Sequence, residues 1–254
     1  MKLNTIYNED CLEGMKRIPD SSIDIVITSP PYNKAGYEGF IRKPHKRDAW
    51  KNRRNIDYGN DPLNDFMGED TYKQWQIDIL NEIHRILKDD GSVFYNHKIR
   101  IAKHRASHPI EWISQSKLNF RQQIVWDRGS SPNVSKIRYM PTSELMFWLT
   151  KTNIQPRFER VKDTPYKTDV WRINPEKDNS HPATFPVELV DAILVNIPKG
   201  DERITVLDPF MGVGKTAESS IRHGMDFIGF ELDEDYYNIA QNRIKNHTQQ
   251  LSLI

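Results

Sequence analysis

Two short runs in this chain combine reactive side chains with backbone constraints that would aim them at a ligand. The first is Ser29-Pro30-Pro31-Tyr32, which follows the β-branched run 23–28. Consecutive prolines fix φ and remove two backbone donors, so the chain must leave a sheet there in a stiff extended turn. That turn sets a hydroxyl, the Pro30 carbonyl and an aromatic face side by side. A flat ring with an exocyclic amino group calls for such a set: its two amino hydrogens go to Ser29 and the Pro30 carbonyl, and the ring stacks on Tyr32.

The second run is Asp208-Pro209-Phe210-Met211-Gly212-Val213-Gly214-Lys215-Thr216. It reads as the end of a strand, a glycine turn and the start of a helix, with free N–H groups offered to a ligand. Glu231, at the end of the next apolar run, suits the diol of a ribose. Gly214-Lys215-Thr216 also matches the tail of a phosphate-binding loop. The position where that motif needs its first glycine holds Pro209, and Asp208 adds negative charge where phosphates would lie, so a nucleoside is the better reading than a nucleotide for hydrolysis.

Both runs need a scaffold. The segments 23–28, 91–95, 204–208 and 227–231 are short and β-branched or apolar, as parallel strands buried on both faces are. Between them, Tyr72, Trp75, Ile79, Ile83 and Ile86 form one apolar helical face ending at Asp90-Gly91. Residues 186–196 fit a helix with proline in its first turn. Residues 233–245 fit another, capped by Asp233 and turning Tyr237, Ala240 and Ile244 inward. Strands alternating with helices predict an α/β fold with a doubly wound, mostly parallel sheet, which would bring Ser29 and Asp208 to its carboxyl edge.

The chain has 254 residues, enough for one large domain. Its 36 basic and 35 acidic side chains leave a net charge of +1, which selects no partner. A single cysteine, Cys11, excludes a disulfide framework and a cysteine-built zinc site. No apolar run approaches a membrane span and the amino-terminal residues lack a signal-peptide core, so a soluble cytoplasmic protein is expected. Two stretches break the α/β rhythm. Residues 34–60 carry Lys34, Arg42, Lys43, Lys46, Arg47, Lys51, Arg53 and Arg54 against Glu38, Asp48 and Asp57, interleaved with Tyr37, Phe40, Trp50 and Tyr58. Basic residues among aromatics suit phosphates and an unstacked strand. Lys98, Arg100, Lys103 and Arg105 form a smaller basic group. Residues 151–179 are irregular and interrupted by Pro156, Pro165 and Pro175. Histidines 45, 84, 97, 104, 108, 223 and 247 show no metal-ligand spacing, and His84, His97 and His104 read as surface or packing residues. Trp126, Trp148 and Trp171 read as core.

Taken together, the two motifs resemble those of the amino-group DNA methyltransferases. That family moves a methyl from S-adenosylmethionine to cytosine N4 or adenine N6. The catalytic motif is matched by Ser29, Pro30, Pro31 and Tyr32, and the cofactor loop by Asp208 to Gly214. With the catalytic motif first, the order resembles the circularly permuted β group. Asn8-Glu9-Asp10-Cys11 resembles the acidic turn that helps hold the cofactor adenine. Leu87-Lys88-Asp89-Asp90-Gly91 resembles a mid-domain helix-to-strand turn. His181-Pro182-Ala183-Thr184-Phe185-Pro186 resembles the motif at the methionine end of the cofactor.

The resemblance implies a Rossmann-like methyltransferase fold over residues 1–254, with residues 34–60 as a basic insert and 151–179 as a candidate target-recognition insert. It implies cofactor contacts from Asp10, His181, Pro182, Asp208, Phe210, Gly212, Gly214, Lys215, Thr216 and Glu231. It implies double-stranded DNA as the substrate, held in part by residues 34–54, with no metal required. A homodimer and a companion restriction endonuclease are further implied partners. Serine in the first catalytic position leans towards cytosine N4. Adenine N6 stays open, as do RNA or a protein glutamine as acceptor and a scaffold that has lost activity.

Overall fold

The structure is a computed structural model that describes residues 1–33, 67–102, 105–131, 136–176, 185–198, 200 and 202–251. The basic stretch expected at 34–60, with every basic residue named in it, lies outside the described residues, as do His181 and Pro182.

In chain order the elements are β1 (Thr5–Tyr7), α1 (Cys11–Met15), β2 (Ile23–Thr28), α2 (Glu69–Ile86), β3 (Leu87–His97), β4 (Arg100–Ala102), β5 (Arg105–Ser107), α3 (Ile110–Ile113), β6 (Asn119–Asp127), β7 (Ser143–Thr150), β8 (Val170–Arg172), α4 (Val187–Leu194), β9 (Thr205–Asp208), α5 (Lys215–Arg222), β10 (Asp226–Phe230) and α6 (Glu234–Leu251). Eight strands form one sheet in the order β1-β10-β9-β2-β3-β7-β6-β8. The neighbours from β1 to β3 are all parallel. β7 runs antiparallel to both β3 and β6, and β8 pairs parallel with β6. The expected doubly wound, mostly parallel sheet is therefore present.

Side chains of successive strand residues go to opposite faces, and the core divides accordingly. Val26, Val93, Tyr95 and Leu207 join one cluster with Ile79, Leu80 and Ile83 of α2. Ile25, Ile27, Phe94 and Val206 join another with Leu189, Val190 and Ile193 of α4. Trp126, Trp148 and Trp171 lie in this second cluster, as expected. Ala240 of α6 is buried with Ile6 and Phe227, and Tyr237 and Ile244 pack on them.

Two boundaries differ from the sequence pattern. α2 ends at Ile86 rather than at Gly91, because Leu87 adopts an extended conformation and pairs with Ile23. Gly91 lies within β3, where a Cβ would stand 2.8 Å from the Leu87 side chain and 2.9 Å from the Asp24 carbonyl. Asp24 is itself buried. Lys88 Nζ at 2.8 Å and Arg157 at 3.4 Å compensate its charge, and it accepts the Thr205 N–H, tying β2 to β9. Residues 151–176 contribute β8, with Trp171 and Ile173 in the core.

Strand connections run from β2 through α2 to β3 on one side and from β9 through α5 to β10 on the other. The order reverses between the adjacent strands β2 and β9, and ligands of such sheets bind outside the carboxyl ends of strands at that reversal. Ser29 follows β2 and Asp208 ends β9.

Candidate active site

The turn after β2 is pinned from behind. Tyr72 of α2 donates its hydroxyl to the Pro31 carbonyl at 2.8 Å, and the same oxygen lies 2.8 Å from His97 Nε2. Asn33 takes φ +49°, and its side-chain amide donates to the Met67 carbonyl at 2.9 Å, joining the two ends of residues 34–66. Tyr32 is buried against the His97 ring, with centroids 4.6 Å apart, and Lys98 Nζ lies 5.1 Å from its ring centre. Burial holds the His97 imidazole neutral, its pKa lowered to about 3. Its Nδ1 lies 2.8 Å from the Lys98 carbonyl.

The polar edge of this turn is a small network. Ser29 Oγ lies 2.9 Å from the Tyr32 hydroxyl and 3.2 Å from Asn96 Oδ1. The Tyr32 hydroxyl lies 2.8 Å from Asn96 Oδ1 and 3.0 Å from Glu144 Oε2. Asn96 cannot present its amide hydrogens instead, because Nδ2 donates to the Leu145 carbonyl. Arg128, just past β6, donates to Glu144 Oε1 at 2.9 Å and to the Pro141 carbonyl. Burial and the nearby Glu144 charge push the Tyr32 hydroxyl well above the usual phenol range.

Across the reversal lies the glycine turn. Asp208 is buried and accepts from the Phe210 N–H at 3.0 Å and from Thr216 Oγ1 at 2.6 Å. Desolvation raises its pKa to about 6. Gly212 and Gly214 have φ of +55° and +86°, conformations that side chains rarely adopt. A Cβ on Gly212 would meet almost nothing, so its backbone is open to an approaching ligand, whereas one on Gly214 would stand 3.0 Å from Ala240. The Gly212 N–H donates to Glu231 Oε2 at 2.7 Å and the Asp233 N–H to Oε1 at 2.9 Å. Desolvation lifts the Glu231 carboxyl to about 7. Asp10 caps α1 after β1, the strand beside β10. Phe210 meets the edge of Trp75.

The structure thus strings the expected residues along one edge: Asp10, Glu231, Gly212 and Asp208 towards β1, then Ser29, Pro30, Pro31 and Tyr32. Lys215 and Thr216 are buried beneath the loop. Lys215 is ion-paired with Glu176, and Thr216 gives its hydroxyl to Asp208. Arg100, one of the smaller basic group, is buried in a two-pronged pair with Glu69 and stacks on Tyr72.

Sequence reasoning missed Asn96, Glu144, Arg128 and the supporting role of His97. Asn96 and His97 could have been found, since they end a buried strand at the carboxyl edge. Glu144 opens an apolar run and carries no comparable signal, because only the antiparallel direction of β7 brings its first residues to the site. Among the described residues no group of three or more His, Cys, Asp or Glu side chains could hold a metal, and no helix is long and apolar enough to cross a membrane.

A Ser-Pro-Pro-Tyr turn beside a glycine turn at the reversal of a doubly wound sheet fits a methyltransferase of the Rossmann-like class. The DNA methylase family of N6/N4 methyltransferases matches residues 23–242, and the chain belongs to it. It is an S-adenosylmethionine-dependent DNA methyltransferase. It is 29% identical to the type II methyltransferase M.BglII of Bacillus subtilis, over 94% of this chain and 68% of that one. Its fold matches the cytosine-N4-specific PvuII DNA methyltransferase with a TM-score of 0.73 at 20% identity, covering 96% of this chain and 90% of that one. It also matches M1.HpyAVI, in its complex with SAM, with a TM-score of 0.61 at 20% identity, covering 94% and 98%.

Proposed function

We propose that this enzyme methylates the exocyclic amino group of a base flipped out of a short duplex site, and that the base is cytosine, at N4. The observation that carries the reading is the Ser29 hydroxyl, fixed between Tyr32 and Asn96 at the carboxyl end of β2 and beside the Asp208 loop.

S-adenosylmethionine supplies a sulfonium methyl group. Glu231, each of whose carboxylate oxygens keeps a lone pair after its backbone bond, accepts the ribose hydroxyls. Asp10 serves the adenine end, and Asp208, Phe210, Gly212 and Gly214 line the middle, with Lys215 and Thr216 bracing them. His181 and Pro182 are assigned to the methionine end by family resemblance. The amino nitrogen of the base is a weak nucleophile, since its lone pair is delocalised. Hydrogen bonds from both amino hydrogens to Ser29 Oγ and the Pro30 carbonyl favour a pyramidal nitrogen aimed at the methyl. Positioning of this kind contributes about 7–11 kcal/mol in well-oriented reactions. Stacking on Tyr32 offsets part of the few kcal/mol lost on flipping.

Serine rather than aspartate at position 29 favours cytosine over adenine. Residues 34–54 supply the phosphate contacts, residues 151–179 take part in recognition within the same single domain, and the enzyme acts beside a restriction endonuclease, as its likeness to a type II methyltransferase suggests, with a homodimer assigned by family resemblance. The test is to incubate the protein with mixed-sequence plasmid and methyl-labelled cofactor and to identify the labelled nucleoside. N4-methylcytosine is expected. N6-methyladenine would overturn the base assignment and keep the chemistry.

A further inference from the structure

We infer that Glu144 is the terminal proton acceptor of the reaction, reached from Ser29 through the Tyr32 hydroxyl. The inference rests on the amino-methylation reading above and adds the route by which the surplus proton leaves.

When the amino nitrogen attacks, an N–C bond forms, the C–S bond breaks with its electron pair going to sulfur, and the nitrogen becomes cationic. One of its two hydrogens must then go. The group assigned to receive it is a serine, whose hydroxyl accepts a hydrogen bond yet cannot keep a proton near neutral pH. Asn96 Oδ1, 3.2 Å from Ser29 Oγ, belongs to an amide and cannot keep one either. The remaining contact leads onward: Ser29 Oγ to the Tyr32 hydroxyl at 2.9 Å, and that hydroxyl to Glu144 Oε2 at 3.0 Å. Among the described residues Glu144 is the one carboxylate hydrogen-bonded to this turn.

The transfer balances. The amine N–H passes to Ser29 Oγ, the Ser29 hydrogen to the Tyr32 oxygen, and the Tyr32 hydrogen to Glu144 Oε2. Ser29 and Tyr32 end unchanged, the product amine is neutral and Glu144 is a carboxylic acid. Burial disfavours a resting tyrosinate, so Tyr32 serves as a conduit rather than a reservoir. Arg128, from the end of β6, occupies Oε1 and leaves Oε2 to Tyr32. The other ionisable groups around the route are Lys98 and His97 after and at the end of β3, with Tyr95 behind them. His97, already neutral, does not titrate in the working range.

The test is single-turnover transfer of labelled methyl to duplex DNA with cofactor saturating, at one fixed pH. Wild type, E144Q, E144D and Y32F are compared. E144Q is expected to keep its Kd for cofactor and for DNA within about twofold while its rate falls by about 10²-fold, the low end for lost acid–base assistance. E144D restores the rate in part. Y32F, which keeps the stacking ring, matches E144Q, and the double variant is no slower than either single one. A wild-type rate in E144Q, or a double variant whose loss is the product of the two single losses, overturns the relay. Should E144Q fail to fold with Arg128 left unpaired, Y32F and E144D decide it by the same readouts. Wild type that labels no DNA base overturns the underlying reading and the relay with it, whereas a labelled base with an unaffected E144Q overturns the relay alone.

Discussion

The two halves of the candidate site are built in different ways. On the β9–β10 side, contacts are made by a loop with itself or with the next strand: the Phe210 N–H and Thr216 to Asp208, the Gly212 N–H to Glu231. Most of the donors are backbone groups. On the β2–β3 side the contacts are between side chains far apart in the chain, with Tyr32 reaching Asn96 and Glu144. A local backbone cradle tolerates drift elsewhere in the domain. A network of distant side chains depends on the register of four strands at once. The glycine-loop half is thus a property of a motif, and the serine-turn half a property of the sheet.

The largest expected effect comes from separating the halves outright. Ser29→Ala should lower methyl transfer by about 10²–10³-fold, the usual result of removing one transition-state hydrogen-bond partner, with cofactor affinity unchanged by calorimetry. A parallel loss of cofactor binding would mean the two halves are one unit. Tyr32→Ala should lower transfer to a similar extent and spare cofactor binding. Asp208→Ala works in the opposite sense: it should weaken cofactor binding by about tenfold or more, about 1.4 kcal/mol. Single-turnover rates at saturating cofactor should fall less than for Ser29→Ala.

A smaller effect concerns pH. The Glu231 carboxyl titrates near 7, and the ionised form is the better acceptor for ribose hydroxyls. Cofactor affinity should therefore rise by about tenfold from pH 6 to pH 8, as the carboxylate fills from its protonated form. Glu231→Gln should flatten that profile, and a flat wild-type profile would detach Glu231 from the ribose. The smallest change tests the cradle itself. Gly214→Ala places a side chain at φ +86°, 3.0 Å from Ala240, and should cost about 1–2 kcal/mol in thermal unfolding. Gly212→Ala, with open space at its Cβ, should cost less stability and more cofactor affinity than Gly214→Ala.

The sequence by itself determined the two motifs, the strands that carry them and the sheet type. Each depends on local chemistry: a double proline ends a strand, glycines allow positive φ, and β-branched runs between amphipathic helices make a parallel sheet. The apolar face from Tyr72 to Ile86 fixed α2, although its end was set by Leu87 pairing with Ile23, a long-range contact that a helical pattern does not record. Arg100 reads in the sequence as one of a basic group, and its pairing with Glu69, in another element, is a long-range contact of the same kind. Strand packing alone made Asn96 and Glu144 meet Ser29 and Tyr32, with Arg128 held behind Glu144. Strand order and direction come from closing long loops and packing both sheet faces, so a carboxylate at the start of an antiparallel strand reaches the catalytic turn with no trace in its own neighbours.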